Sequence, residues 1–322
     1  MNDETRAALL LGSALGAPAD APLGPRAFWK LHELSGGLPG LLGMAAADIQ
    51  ALTGIPQEQA ERIARLLDRT TAMAIELERY ETGGLSVVTG LDPDYPQQVG
   101  AQLGTSTPPV FFTAGEMALW QAGGVAIMGE GDPNDQDSTG VRAELARAAA
   151  TEVGSRFCPV FSGGGTRLDR LIMNAATDAG GSVIAIVAGA MDHMLTSSKA
   201  RGLIAEGRLL IVSAMTPPTP VSEPAALGRA KCLYASADAT LIVACDAGAG
   251  EVWTGANEAL EQGWGQVVVW QGPGEGAGNA GLLENPEAFE VTSMEEIAEF
   301  ADIAAVGAPM DLEEEMPPEP AG

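Results

Sequence analysis

The stretch Phe157–Asp192, FCPVFSGGGTRLDRLIMNAATDAGGSVIAIVAGAMD, decides the fold predicted for this chain. Its first apolar run, Cys158–Phe161, ends in Ser162 and three glycines. Apolar residues then recur at helical spacing from Leu168, and a second apolar run covers Val183–Val187. This order predicts strand, glycine turn, helix and strand. Because a single helix connects the two strands, we expect them to lie parallel in one sheet.

The glycine triplet Gly163–Gly165 predicts an anion site. Glycine lets the backbone turn sharply, and the unpaired amides at the N-terminus of the following helix favour a phosphate. A tight turn that binds no ligand would use the same residues. The triplet is therefore interpreted as a phosphate or nucleic-acid site whose alternative is a purely structural turn.

The charge of the chain restricts its partners. The 322 residues carry 17 Lys and Arg against 43 Asp and Glu, a net charge of −26, and no Lys or Arg follows Lys231. Such a chain repels a phosphate backbone at long range, so nucleic-acid binding requires a local basic cluster. The candidates for that cluster are Arg167, Arg170, Lys199, Arg201, Arg229 and Lys231.

Composition predicts a globular cytoplasmic protein that does not enter a membrane. Apolar residues make up 46% of the chain, but no apolar run reaches the ~18 residues of a membrane-spanning helix. The N-terminus has no basic region before its apolar residues, which argues against a signal peptide. Three cysteines without a CxxC pair indicate reduced thiols rather than disulfides or a zinc site.

The first part of the chain is predicted to be helical. Helices are expected over Pro25–Leu34 and Met44–Leu52, and a longer one from Pro56 to Tyr80. With the GLPGLLG turn between them, these helices resemble a helix-hairpin-helix or SAM-like module. Few basic residues lie at the turn, which favours a packing role over a grip on DNA. Residues 1–82 are predicted to form this small all-helical domain.

The remainder is predicted to be an α/β domain with an extended Rossmann-like parallel sheet. Apolar strands alternate with helices, a pattern typical of a parallel sheet covered on both faces. The expected strands are Ser86–Thr89, Val110–Phe112, Val125–Met128, Cys158–Phe161, Val183–Val187, Leu209–Val212, Thr240–Ala244, Val267–Trp270 and Phe289–Val291. We place this domain at residues 83–306. Residues 307–322 have too few apolar side chains to fold and are predicted to be a disordered acidic tail.

A family resemblance rests on residues 91–119, where Asp94, Tyr95, Pro96 and the later pair Pro108–Pro109 fall in an unusual order. In wording and spacing the segment resembles the DNA-processing protein A family, also called Smf. Further residues resemble the family's SGxARGID loop (Ser162, Gly163, Asp169), its RNR segment (Arg229, Lys231) and its SGSLIT turn (Gly250, Thr254). The resemblance implies a homodimer that binds single-stranded DNA in a basic pocket and delivers it to a RecA-type recombinase during DNA uptake.

The chain departs from the family pattern at the residues expected to face DNA. Glu130 follows the expected strand Val125–Met128, where the family has Gly-Ser-Arg, and Thr166 replaces the loop arginine, with Arg167 one position later. Ala230 and Lys231 replace the last two residues of RNR. The winged-helix tail of many members is not expected here. The residues that line the DNA pocket are therefore predicted to differ in part from the family pattern.

The predicted DNA- or phosphate-binding residues are Ser162, Gly163, Gly164, Gly165, Thr166, Arg167, Arg229, Lys231, Gly250 and Thr254. No catalytic residue, metal ligand or cofactor is predicted. The expected function is non-catalytic binding of single-stranded DNA in uptake, recombination or defence. The alternative is an antitoxin-like regulator that senses a nucleotide or a partner protein and has lost DNA binding.

Two further features leave alternatives open. The GGGT run is faintly similar to the PGGxGT loop of phosphoribohydrolases, but Asp169 stands where those enzymes need a glutamate. Tyr234 and Trp253 could stack a DNA base or pack in the core.

Overall fold

The computed structural model describes residues 1–131 and 139–306. Its sheet consists of strands β1 (Ser86–Thr89), β2 (Val110–Ala114), β3 (Val125–Gly129), β4 (Val160–Ser162), β5 (Val183–Val187), β6 (Leu209–Ser213), β7 (Ala239–Ala244), β8 (Gln266–Trp270) and β9 (Phe289–Val291). Every residue of β3, β5, β6 and β7 is buried, as expected for strands covered on both faces.

The strands form one sheet in the order β1-β2-β6-β5-β4-β3-β7-β8-β9. The seven strands from β6 to β9 pair in parallel, which confirms the predicted Rossmann-like α/β fold. Strands β1 and β2 extend one edge by antiparallel pairing, an arrangement that the sequence did not predict. From β3 the chain proceeds outward to β6 and then returns to β7 on the other side of β3. The carboxyl ends of β3 and β7 therefore flank the crevice where such sheets bind ligands.

Helices cover both faces of the sheet and build the N-terminal part. They are α1 (Asp3–Gly12), α2 (Pro25–Ser35), α3 (Ala46–Thr53), α4 (Gln57–Leu67), α5 (Thr70–Thr82), α6 (Gln97–Leu103), α7 (Ala118–Gln121), α8 (Val141–Ser155), α9 (Arg167–Asp178), α10 (Met191–Leu195), α11 (Ser198–Ala205), α12 (Glu223–Ser236), α13 (Gly250–Gln262), α14 (Asn279–Leu282) and α15 (Met294–Val306). Two 3₁₀ turns lie at Pro39–Leu41 and Gly104–Ser106.

The predicted helix from Pro56 to Tyr80 is wrong in one respect, because it is broken between α4 and α5. Arg69 lies at the break, and its guanidinium donates hydrogen bonds to the carbonyl oxygens of Leu10 and Ser13. These bonds satisfy carbonyl oxygens at the end of α1 and in the loop after it, so Arg69 connects the break between α4 and α5 to α1.

Helix α1 joins the helical part to the sheet. Its residues Ala7–Leu11 are fully buried, and one continuous apolar core contains them together with Val110 and Phe112 of β2. The domain boundary drawn after residue 82 stays a prediction. The tail predicted at residues 307–322 lies outside the described residues. Within residues 1–131 and 139–306, the helices are too short or too polar to cross a membrane.

Candidate nucleic-acid interface

The glycine loop connects β4 to α9, and its amides are already bonded to a carboxylate of the chain. Thr166 caps α9: its Oγ1 accepts a hydrogen bond from the Asp169 amide at 3.0 Å. In return Asp169 Oδ2 accepts bonds from the amides of Thr166 at 2.8 Å and Gly165 at 3.0 Å. This reciprocal arrangement is a capping box. Two of the amides predicted to bind a phosphate, those of Gly165 and Thr166, are therefore occupied by Asp169.

Arg229 of α12 lies beside this loop, with only 10% of its side chain exposed. Its Nε donates to Glu251 Oε1 at 3.1 Å, and its Nη2 donates to the same oxygen. Its Nη1 donates to the Gly163 carbonyl at 3.2 Å and lies 3.9 Å from Asp169 Oδ2. The guanidinium is thus held between two carboxylates that neutralise its charge.

Gly163 permits this close approach. A Cβ atom at that position would lie 2.6 Å from Arg229 Nη1 and 3.1 Å from Asp169 Oδ2. Any larger residue would displace the guanidinium from the loop. The predicted site residues Gly163 and Arg229 are therefore in contact with each other.

Glu130 occupies the crevice between the ends of β3 and β7. Its Oε2 accepts a hydrogen bond from the Asp246 amide at 2.6 Å, and burial raises the pKa of this carboxyl. A side chain on Gly250, whose φ is +89°, would collide with the Glu130 carboxylate. A cavity of about 170 Å³ remains, lined by Glu130, Asp169, Arg229 and Glu251 among others. Three carboxylates and one guanidinium give this crevice an acidic character, which disfavours a phosphate.

A different surface carries exposed positive charge. Arg167 and Arg170 of α9 and Arg147 of α8 line a shallow groove of about 360 Å³. Arg170 also lines a cleft of about 370 Å³ between α9 and helices α10 and α11, together with Lys199 and with Gly164 of the glycine loop. All four basic side chains are exposed. We name Arg147, Arg167, Arg170 and Lys199 the α9 basic face.

The charges of the α9 basic face are only partly compensated. Lys199 Nζ donates to Asp178 Oδ1 at 3.0 Å and to Asn174 Oδ1 at 2.8 Å. Arg170 donates to the Gly165 carbonyl at 3.1 Å. Within residues 1–131 and 139–306, neither Arg167 nor Arg170 forms an ion pair with a carboxylate. Among the described residues, no carboxylate forms an ion pair that neutralises the positive charges of these two arginines beside the glycine loop.

The other predicted site residues lie around the loop or on neighbouring helices. Ser162 is fully buried at the end of β4, and Gly250 begins α13. Lys231 forms an ion pair with Glu258 of α13, with a 2.6 Å distance between Nζ and Oε1. Thr254 is exposed on α13. The structure gathers residues 162–167, Arg229 and Gly250, and it directs Lys231 and Thr254 to different contacts.

Two aromatic residues proposed for base stacking have other surroundings. Tyr234 is fully buried, and its hydroxyl donates to the Val252 carbonyl at 3.2 Å, so it is a core residue. Trp253 is half-buried, and a side chain on Gly281 would touch its indole ring. Sequence reasoning missed Arg147, because spacing alone does not reveal which face of α8 lies beside α9.

The family model for DNA recombination-mediator protein A matches residues 86–302. The comparison with curated proteins finds no match. Among solved structures, DNA processing protein A (DprA) from Streptococcus pneumoniae is similar, with a TM-score of 0.60 and 17% identity over 86% of this chain and 98% of that one. DprA from Helicobacter pylori gives a TM-score of 0.52 and 17% identity over 70% and 97% of the two chains.

The two structural likenesses confirm the fold, and the family model covers more than half of the chain. The resemblance expected from residues 91–119 and from the glycine loop is therefore confirmed. The chain belongs to the DNA recombination-mediator protein A family.

Proposed function

We propose that this protein acts in DNA processing by binding single-stranded DNA along the α9 basic face, without a catalytic step. Family membership supports the role in DNA processing, and the H. pylori structure is described as showing a single-stranded DNA binding mode. The observation that carries the proposal is the pair Arg167 and Arg170, which lie exposed beside the glycine loop and form no ion pair with a carboxylate in the described part of the chain.

The shape and lining of the α9 basic face suit a single strand. Grooves lie on both sides of α9, and Arg170 borders each of them. The cleft toward α11 also contains Met173, Met194 and Leu203, apolar side chains that can contact the face of an unstacked base. A cationic track for the backbone combined with contacts to bases is how proteins bind single strands without reading sequence.

The experiment is fluorescence anisotropy with a labelled single-stranded oligonucleotide, titrated at several salt concentrations. The double variant Arg167→Ala/Arg170→Ala is expected to bind about tenfold more weakly or worse. Its log–log salt slope should be shallower by about 1.4, since each lost phosphate contact to a single strand removes about 0.7. The matched control is Arg26→Ala/Lys30→Ala, which removes the same charge from the exposed side of α2.

The two double variants distinguish a local binding site from an effect of net charge. Both lower the net charge by the same amount, but the control leaves the α9 basic face intact and should bind as the wild type does. If both variants lose the same affinity, only net charge matters, and the α9 basic face is not the site. The RecA-type partner and the homodimer implied by the resemblance stay predictions.

The acidic crevice favours a second candidate function. Glu130, Asp169 and Glu251 occupy the place where a phosphate would bind, as in a scaffold whose DNA site has been closed. A regulator that senses a nucleotide or a partner protein would use this fold without binding DNA. Wild-type protein that binds no oligonucleotide at any salt concentration of the titration would favour this second function over the first.

A further inference from the structure

A cavity of about 400 Å³ lies between the helical N-terminal part and the sheet; it shares Arg229 with the acidic crevice and no residue with the α9 basic face. Its floor is formed at the ends of β5 and β6 by Val187, Ala188 and Ala214. One side of α12 forms a wall through Ala225, Gly228 and Cys232. The volume falls within the ~300–1,000 Å³ typical of small-molecule sites, which favour domain junctions and the carboxyl ends of parallel strands.

Prolines make part of the wall of this interdomain cavity rigid. Five prolines contribute to the lining: Pro22, Pro25, Pro108, Pro109 and Pro224. Proline fixes its own φ angle and has no flexible side chain with which to fill a void. These five residues therefore cannot fill the space by a change of rotamer, and the apolar parts of the wall give water few hydrogen-bonding partners.

The roof of the cavity is held in place by three arginines of the helical part. Arg62 donates to the carbonyls of Ala21 at 2.7 Å and Pro22 at 3.2 Å. Arg65 forms an ion pair with Asp20 at 2.8 Å, and Arg69 donates to the Ser13 carbonyl at 2.8 Å. These contacts attach the irregular segment 13–24 to α4 and to Arg69, the residue that precedes α5. The cavity is thus an assembled feature of both parts of the molecule.

The charge of the lining indicates the class of ligand. Within the described residues, the charged side chains that line the cavity are Arg229 and Lys231, and no carboxylate does so. Both cations form ion pairs, with Glu251 and Glu258, but a guanidinium has five N–H donors and an ammonium three, so each keeps donors for a further partner. We propose that the interdomain cavity binds a planar aromatic anion up to the size of a nucleoside monophosphate. This inference does not depend on DNA binding.

The test uses anilinonaphthalene sulfonate, a fluorescent aromatic anion, and phenylnaphthylamine, its neutral counterpart without the sulfonate. The wild-type protein should bind the anion saturably at one site and at least about fivefold more tightly than the neutral probe, a difference of about 1 kcal/mol. Lys231→Gln should reduce this preference, because it removes one of the two cations that line the cavity.

Gly228 supplies a cavity-filling variant with a matched control. A Cβ atom at Gly228 meets no heavy atom within 4 Å, so Gly228→Leu extends into open space without a backbone clash. This variant should lose at least about tenfold in affinity for the anion, while Gly228→Ala should retain it. Circular dichroism and thermal melting establish that both variants fold, and Ala225→Phe replaces Gly228→Leu if the latter does not.

Two results would overturn the proposal. One is the absence of saturable binding to the folded wild-type protein. The other is equal affinity in the wild type and in a folded cavity-filling variant, which would place the probe elsewhere on the surface. Binding that Gly228→Leu or Ala225→Phe removes and Gly228→Ala keeps would support it.

Discussion

Glu130 stands at the end of β3, where the family resemblance implies an arginine, and its carboxylate bonds to the Asp246 amide. Asp169 does the same to the amides of Gly165 and Thr166. Backbone amides at strand ends and helix N-termini are the groups with which such folds hold phosphates. Here carboxylates of the chain already satisfy three of them, so a phosphate at these amides would have to displace an anion that is covalently part of the protein. These residues therefore give a physical reason why DNA would bind outside the crevice.

Replacing Glu130 should change the pH dependence of stability. Burial raises the pKa of this carboxyl above its ordinary value of 4.5, an effect only partly offset by the bond from the Asp246 amide. A raised folded-state pKa means that the native protein binds the proton more tightly than the unfolded chain, so stability falls as pH rises between the two values. Glu130→Gln removes this effect and should raise the free energy of unfolding at pH 7, with the gain vanishing below pH 4.5.

Urea unfolding of the wild type and Glu130→Gln across this pH range is the measurement. Glu299→Gln, an exposed change on α15, is the matched control and should show no such pH-dependent gain. A Glu130→Gln variant that is no more stable than the wild type at pH 7 would contradict the assigned effect of burial.

Arg229→Ala should affect stability rather than DNA affinity. The substitution leaves Glu251 and Asp169 without their shared cation in a region where the arginine side chain is only 10% exposed. Breaking a buried ion pair by removing one partner costs about 3 kcal/mol or more. Because the α9 basic face is untouched, affinity for single-stranded DNA should stay within about twofold of the wild type.

Urea unfolding and oligonucleotide anisotropy on the same preparation measure both properties of Arg229→Ala. Arg229→Lys keeps the positive charge but not the planar guanidinium, so its free energy of unfolding should lie between those of the wild type and Arg229→Ala. A tenfold loss of DNA affinity in Arg229→Ala with unchanged stability would instead indicate that DNA binds in the acidic crevice.

At the scale of the element, the N-terminus of α9 is fixed by a local signal. Thr166→Ala removes the oxygen that accepts a hydrogen bond from the Asp169 amide, and loss of such a cap typically lowers the free energy of unfolding by about 1 kcal/mol. Thr166→Ser keeps the oxygen and should be close to the wild type in free energy of unfolding. Chemical denaturation of both variants provides the comparison, and equal stability of Thr166→Ala and Thr166→Ser would show that the cap contributes nothing.

How far sequence predicts an element depends on where its determinants lie. Strand β5 was predicted at Val183–Val187 and is found there, because a fully apolar run bounded by glycines needs no distant partner to be identified. The break before α5 was missed; Arg69 lies there and contacts Leu10 and Ser13, a long-range contact that local spacing does not reveal. Tertiary contacts override local propensity in such places.

The same distinction applies to the candidate site. The family segment located Arg229, but Glu251, which neutralises it, is 22 residues away in the chain and is brought there by the packing of α12 on α13. Arg147 joins the α9 basic face only because α8 packs beside α9. Sequence thus placed Arg229 near the glycine loop, and the structure was required to tell that its charge is compensated and that Lys231 pairs with Glu258 instead.

At the scale of the whole molecule, the four basic side chains of the α9 basic face have to attract DNA to a protein whose net charge is −26. Ionic strength decides whether the local positive charge or the net negative charge has the larger effect on the encounter with DNA. The Debye length is about 8 Å at 0.15 M salt, so an approaching phosphate senses mainly the nearby arginines. At 0.01 M it is about 30 Å, and the phosphate senses the acidic molecule as a whole.

The association rate constant for single-stranded DNA should therefore pass through a maximum as salt is varied. Proteins with a basic surface and a basic net charge associate faster at every reduction in salt, because both terms attract. Here, lowering salt strengthens local attraction first and then the repulsion by the remaining acidic surface. Stopped-flow fluorescence with a short labelled oligonucleotide, from about 10 to about 300 mM salt, measures this dependence. Arg167→Ala/Arg170→Ala should lower the maximum. A rate that rises steadily down to the lowest salt would mean that the acidic charge lies too far from the approach path to act on DNA.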